Sequence, residues 1–312
     1  MKSTNKYNSS RRSLPKHGTG QLFNFSRDSY LERTSRPIYA IIFLLPFIIF
    51  YELGTFSINT DVLNQSQIRV VAFVWLQNLL ESLGFGGKFL WVATPLAVVV
   101  ILTALQITSG KQWRFWLRDI LPMMAECILL AVPLIVLTLF MNSPAVSQDS
   151  FSRFGGSSRQ TQAASLPSCL SVSDSSLQRL SAEAGDVAPG QPLLANIVTG
   201  IGAGIYEELV FRLILICFLM MLFQDILRLR HKNSIILSVL ISAALFSAHH
   251  HIDFLSGQPN TSDPFNVIRF AFRTIAGIYF AGLFAIRGFG ITAGTHAFYN
   301  IIAVSVAARF FH

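Results

Sequence analysis

Residues 193–223 read LLANIVTGIGAGIYEELVFRLILICFLMMLF. Seventeen of them are Leu, Ile, Val or Phe, and three ionisable groups, Glu207, Glu208 and Arg212, sit in the middle. A central charge costs roughly 2.5–3.5 kcal/mol on membrane insertion, so three cost about 8–10 before any pairing. The apolar residues return roughly 5–10 kcal/mol at about 0.3–0.6 each. The run is near balance, and it inserts as a membrane helix if its charges pair or face water.

Outward from this run the chain keeps the same character. Apolar segments follow at about 235–254, 267–286 and 290–311, and others precede it at Pro37–Phe56, Phe89–Thr108 and Ile120–Met141. The 312 residues are 52% hydrophobic and 13% charged, against roughly 25% charged in a soluble domain. Mean hydropathy is +0.51. These figures exclude a soluble enzyme and a disordered chain, and imply an all-α polytopic transmembrane bundle of seven to eight spans.

Ile68–Gly86 is the ambiguous segment. It is amphipathic, with Gln77, Asn78 and Glu81 beside apolar turns, which suits an interfacial helix. Counting it as a span turns the Lys111, Arg114 and Arg118 loop outward, against the positive-inside rule. Seven spans plus one embedded helix are therefore expected, with the N-terminus cytoplasmic and the C-terminus outside. Trp113, Arg114, Trp116 and Arg118 read as an interfacial anchor, and Pro133 as a kink site.

The net charge of +8 sits mainly in a disordered basic tail, residues 1–36, and in short loops such as Arg228–Lys232. That is the charge pattern of a membrane protein, and no nucleic-acid partner is expected. Residues 37–141 form the first helices, 142–191 a flexible Ser-rich loop or linker, and 192–312 a second helical unit. The three cysteines, Cys127, Cys169 and Cys217, make neither a disulfide framework nor a zinc spacing.

Spacing in the second unit brings chemistry together. Glu208 and Arg212 lie four apart on one helical face, in the favourable acid-first order. Glu207 points about 100° away and shares its face with Gly204, Ala203 and Gly200, small residues that permit close helix approach. One carboxylate thus has a built-in cation and the other has none. The second suits general-base work on a water, provided a wet cavity or a histidine adjoins it. Phe246 and His250 share a face on the next apolar segment, as do His296 and Asn300 on the last. One glutamate, two histidines and an asparagine on three helices can hold a water or a metal and donate to an oxyanion. His249 and His251 point elsewhere, towards solvent or lipid headgroups. Seven spans would put His250 near the outer end of its helix and His296 near the inner end, at different depths.

Glu207-Glu208-x-x-x-Arg212, Phe246-x-x-x-His250 and His296-x-x-x-Asn300, in that order on separate apolar segments, resemble the CPBP family. It is also called the ABI or CAAX-protease family, and includes the Ras-converting endopeptidase. The resemblance covers about 193–312. It implies an intramembrane glutamate-type protease acting on a membrane-associated peptide or protein within the lipid bilayer. In that scheme Glu207 activates water, His250 helps to hold it, and His296 and Asn300 stabilise the oxyanion. Glu208, Arg212 and Phe246 support the site. A divalent metal such as zinc on Glu207, His250 and His296, or a metal-free mechanism, is equally allowed, and no carboxylate stands out as a second partner for either histidine. The family's breadth points to a bacterial cytoplasmic membrane.

Other protease chemistries lack their motifs. There is no His-Glu-x-x-His, no Gly-x-Ser-x-Gly and no phosphate loop. Two competing classes remain: a non-catalytic scaffold or bacteriocin-immunity protein that keeps the motifs for packing, and a proton-relay transporter. The second is disfavoured because the halves show no inverted-repeat resemblance. Glu52 and Glu126 read as interfacial or interhelical partners. Arg273 either meets a substrate carboxyl group or snorkels outward.

Overall fold

A computed structural model describes residues 26, 28–59, 70–85, 89–141, 193–254, 257–260 and 264–310. The basic tail up to residue 25, the Ser-rich segment 142–192 and Cys169 lie outside the described residues. The rest is helical: α1 (Tyr30–Thr34), α2 (Pro37–Asn59), α3 (Val71–Ser82), α4 (Leu90–Ser109), α5 (Ile120–Met141), α6 (Leu193–Ile226), α7 (His231–His251), α8 (Val267–Arg287) and α9 (Phe289–Phe310). No strand occurs among the described residues; the only β pairing there is an isolated bridge between Ile252 and Pro259.

Seven of these helices are long and apolar enough to cross a membrane, and the chain is an integral membrane protein. The seven are α2 and α4 to α9. At 12 residues, α3 is about 18 Å long, short of the roughly 30 Å hydrocarbon layer. It buries Ala72, Phe73 and Leu76 and exposes Asn78 and Glu81, as an embedded amphipathic helix should. Pro46, Pro95 and Pro133 all lie inside unbroken helices, as membrane helices tolerate. In α4, Val92, Leu96 and Val100 are exposed and, four apart, form a face for lipid.

A polar belt joins the helix ends on one side of the bundle. Arg287, the last residue of α8, donates from Nε and Nη2 to Glu126 on α5 at 2.5 and 2.8 Å, and Tyr30 adds its hydroxyl at 2.8 Å. Arg33 donates to both oxygens of Asp119 at 3.0 and 3.1 Å. The Ile38 amide donates to Gln106 at the end of α4 at 3.0 Å. Glu126 is thus an interhelical partner, as its position in an apolar run implied. Glu52 is another, accepting from the Tyr206 hydroxyl at 3.2 Å.

Helix α9 is central. Of its span 72% is buried inside the bundle, against 22% for α4 and for α5. Its small residues let neighbours close in: Gly290 meets Ala40, and Gly294 meets Phe43 and Cys127. The Gly200–Gly204 stripe of α6 does the same from the other side, against Asn300 and Ala297. Gly202 faces the Tyr51 ring of α2, so the early helices pack into the same bundle. A Cβ on Gly204 would lie 2.5 Å from the Ala297 nitrogen and 2.7 Å from its Cα. Backbone cannot yield as a side chain does. Gly204→Ala is therefore expected to cost about 1–3 kcal/mol, seen as a lower melting midpoint in detergent. Gly282→Ala, where a Cβ meets nothing within 4 Å, is the matched control and should leave the midpoint unchanged.

Candidate active site

The centre of the bundle is built from α6. Its α-helical hydrogen bonding runs to Glu208 and then widens into π-helical turns over Leu209–Leu215, an irregularity frequent at functional sites. Glu207 is 3% exposed, and Glu208 and Arg212 are fully buried.

Glu208 has two partners. Arg212 Nε lies 3.1 Å from its Oε2, the i,i+4 pair expected from spacing. His296 Nδ1 lies 2.8 Å from its Oε1. This carboxylate behind a histidine is one the sequence did not single out, because 88 residues separate the two. The Arg212 guanidinium sits 4.1 Å over the Phe246 ring and 5.5 Å from the Phe280 ring, so aromatic faces share the burial of its charge. His296 stacks on Phe280, with centroids 4.5 Å apart at 18°.

Glu207 has a different surrounding. His249 Nε2 stands 3.7 Å from one carboxylate oxygen and His296 Nε2 stands 3.9 Å from the other. The Nδ1 of each ring is already engaged, by the Phe246 carbonyl for His249 and by Glu208 for His296. An Nδ1 that faces an acceptor carries the proton, which leaves both Nε2 lone pairs turned towards Glu207. Separations of 3.7 and 3.9 Å are too long for direct hydrogen bonds and suit a water or a cation between them.

The expectation that His249 and His251 face solvent or headgroups is overturned, since both are buried, at 5% and 2% exposure. Consecutive helical residues differ by about 100°, so three histidines sweep about 200° of the circumference. Near the end of a helix packed on several sides, they cannot all point out. His249 turns into the core against Phe211 and Trp75, with centroids 4.8 and 5.7 Å away. His251 turns away from Glu207, against Phe265 and Phe270.

His250 lines a cavity of about 30 Å³ together with Glu207, His296, Arg273 and Tyr299. That is room for roughly one or two waters. The different depths expected for His250 and His296 are not observed either. Both imidazoles converge on the Phe246 ring, at 5.5 and 6.2 Å. The loop after α7 also ties down the backbone beside His250, as Asn260 Nδ2 donates to its carbonyl at 3.0 Å.

Asn300 is placed differently from the other motif residues. Its Nδ2 donates to the Gly200 carbonyl at 2.9 Å, and Tyr299, not Asn300, lines the cavity. Arg273 is 5% exposed within the α8 span, so it does not snorkel. The donor atoms of Glu207, His249 and His250 all lie within 4.8 Å of one another, a grouping able to hold a metal ion.

No curated protein and no solved structure matches the chain. Residues 189–302 match the family model described as Type II CAAX prenyl endopeptidase Rce1-like. All three motifs and the cavity around Glu207 fall within that stretch. The part of the chain that builds this site, residues 189–302, belongs to the CAAX-protease family, a family of peptide hydrolases.

Proposed function

We propose that the protein is an intramembrane endopeptidase in which Glu207 activates the attacking water. The observation that carries the reading is a buried carboxylate flanked by two imidazole Nε2 atoms, at 3.7 and 3.9 Å, beside a cavity of water size. Glu207 takes a proton from the water and later returns it to the leaving amine. His249 and His296, each oriented through its Nδ1, hold the water, and His250 closes the cavity wall. Glu208 and Arg212 fix the His296 ring.

The donor set also fits a divalent metal such as zinc. Two histidines with anchored Nδ1 atoms and a carboxylate are ordinary ligands with their outer partners in place. His249 and His250 with Glu207, and His296 opposite, would hold it. When bound, such an ion would polarise the water and the substrate carbonyl.

The substrate is a membrane-associated peptide with an apolar attachment, in keeping with the prenyl substrates in the family's description. A groove of about 330 Å³ lined by Trp75, Phe211, Phe218 and Phe254 supports this. Trp75 and Phe211 also form the far wall behind His249, so an isoprenoid chain in the groove would bring its peptide towards Glu207. The polar belt gathers Arg33, Arg36, Lys111 and Arg287 on the side where α2 begins. This supports a cytoplasmic N-terminus by the positive-inside rule.

The test compares membrane and secreted peptides of cells carrying the intact protein or Glu207→Gln. One cleavage that disappears with the substitution identifies the substrate, and identical peptide sets refute the reading. His249→Ala is expected to lower turnover by about 10²-fold. His251→Ala, on a residue packed away from the cavity, should change the melting midpoint and leave turnover of the folded protein near the parent value.

A scaffold or immunity role is the second reading. The Asn300–Gly200 bond and the Glu208–Arg212 pair favour it, since both act in helix packing. It requires that Glu207→Gln leave the cellular phenotype intact.

A further inference from the structure

Residues 110–116 join two membrane spans, Leu90–Ser109 and Leu117–Phe140. A residue extends the chain by at most about 3.6 Å, so a link this short stays at the depth of the lipid headgroups. The link is also pinned from inside. Gly110 closes α4 in the left-handed conformation, with φ at 62°. The Lys111 carbonyl accepts from Gln106 Nε2 at 2.9 Å, and the Trp116 amide donates to the Tyr39 hydroxyl at 3.2 Å. The Phe115 ring packs on Tyr39, with centroids 4.9 Å apart.

These anchors leave Trp113, Arg114, Trp116 and Arg118 on the surface, and all four are exposed. Asp119, the acid beside them, is engaged by Arg33 and by the Tyr39 hydroxyl. Neither Arg114 nor Arg118 pairs with a carboxylate among the described residues. The Arg118 guanidinium instead lies 4.8 Å over the Trp116 ring. Leu117 and Leu121, where the next span begins, are exposed too.

We propose that this α4–α5 loop binds the headgroup of an anionic phospholipid in the leaflet on the side where α2 begins. The order of its groups matches the order of a lipid. Guanidinium groups meet the phosphate, with which they form paired hydrogen bonds. The two indoles, apolar rings with one N–H each, suit the glycerol level. Leu117 and Leu121 meet the first methylenes of the acyl chains. The inference is independent of the chemistry at Glu207, since it uses no residue of that cavity. Near an anionic membrane surface each basic side chain contributes about fivefold in affinity, so Arg114 and Arg118 together supply about 25-fold.

The full chain in a neutral detergent is titrated with phosphatidylglycerol or with phosphatidylcholine of the same acyl chains, and the melting midpoint is followed. A ligand that binds the folded state raises the midpoint with its concentration. Phosphatidylglycerol should raise it well beyond phosphatidylcholine. Arg114→Gln/Arg118→Gln should need about 25-fold more phosphatidylglycerol for the same rise, with an unchanged midpoint when no lipid is added. If the double variant fails to fold, Arg114→Gln and Arg118→Gln singly should each need about fivefold more. Arg230→Gln/Lys232→Gln removes the same charge from the α6–α7 turn and should keep the parent response. Equal effects of the two lipids, or a midpoint indifferent to phosphatidylglycerol, would overturn the proposal. So would equal losses in the two double variants, which would mark general electrostatics, or an equal rise with glycerol phosphate alone, which would mark a site for free anions.

Discussion

Glu207→Gln is expected to lower peptide turnover by about 10²–10⁴-fold, the usual loss of a general base, and to leave the fold intact. The isosteric amide keeps the shape of the side chain. It can also donate an N–H towards the Nε2 lone pairs that stand 3.7 and 3.9 Å from the carboxylate. Removing a buried charge that has no cation of its own at bonding distance relieves desolvation. The melting midpoint in detergent should therefore hold or rise while turnover collapses. A midpoint that falls with activity would make Glu207 a structural residue and would leave its role as the base without support.

The neighbouring acid should behave in the opposite way. Glu208→Ala leaves the fully buried Arg212 without its carboxylate. Breaking one side of a buried ion pair typically costs about 3–5 kcal/mol, because the surviving charge stays buried. The substitution also releases His296 Nδ1. Protein abundance in the membrane and the melting midpoint should both drop sharply, and turnover should fall with them. Parent-like abundance and midpoint in Glu208→Ala would show that the cation over Phe246 and Phe280 is sustained by the aromatic faces alone. The roles proposed for the two adjacent glutamates, chemistry for Glu207 and architecture for Glu208, are thus separable by measuring stability and activity on the same samples.

The contrast between these two acids was legible before any coordinates. Spacing of four sets Glu208 against Arg212, and a turn of about 100° per residue sets Glu207 apart. The Gly200–Gly204 stripe, read as a close-approach face, does meet α9. Local periodicity suffices for such statements because the partners lie on one helix, or because a missing side chain has one steric consequence. The His249–Glu207 approach was not legible. Helical phase shows that three consecutive histidines diverge, but not which of them faces a neighbour, and that depends on how α7 is rotated against α6.

Composition and helical period determined an all-α membrane bundle of seven to eight spans, since the cost of putting polar backbone and charge into lipid leaves few alternatives, and the placement of basic loops favoured seven with one short embedded helix. They also determined which segments carry ionisable groups. Tertiary structure decided the pairings across long separations: Glu208 with His296, Asn300 with the Gly200 carbonyl, and Arg273 on the cavity wall. The reason is physical. Within a helix the geometry follows from sequence spacing, whereas the rotation and crossing of one helix against another are set by the sum of many side-chain contacts, which no single segment contains.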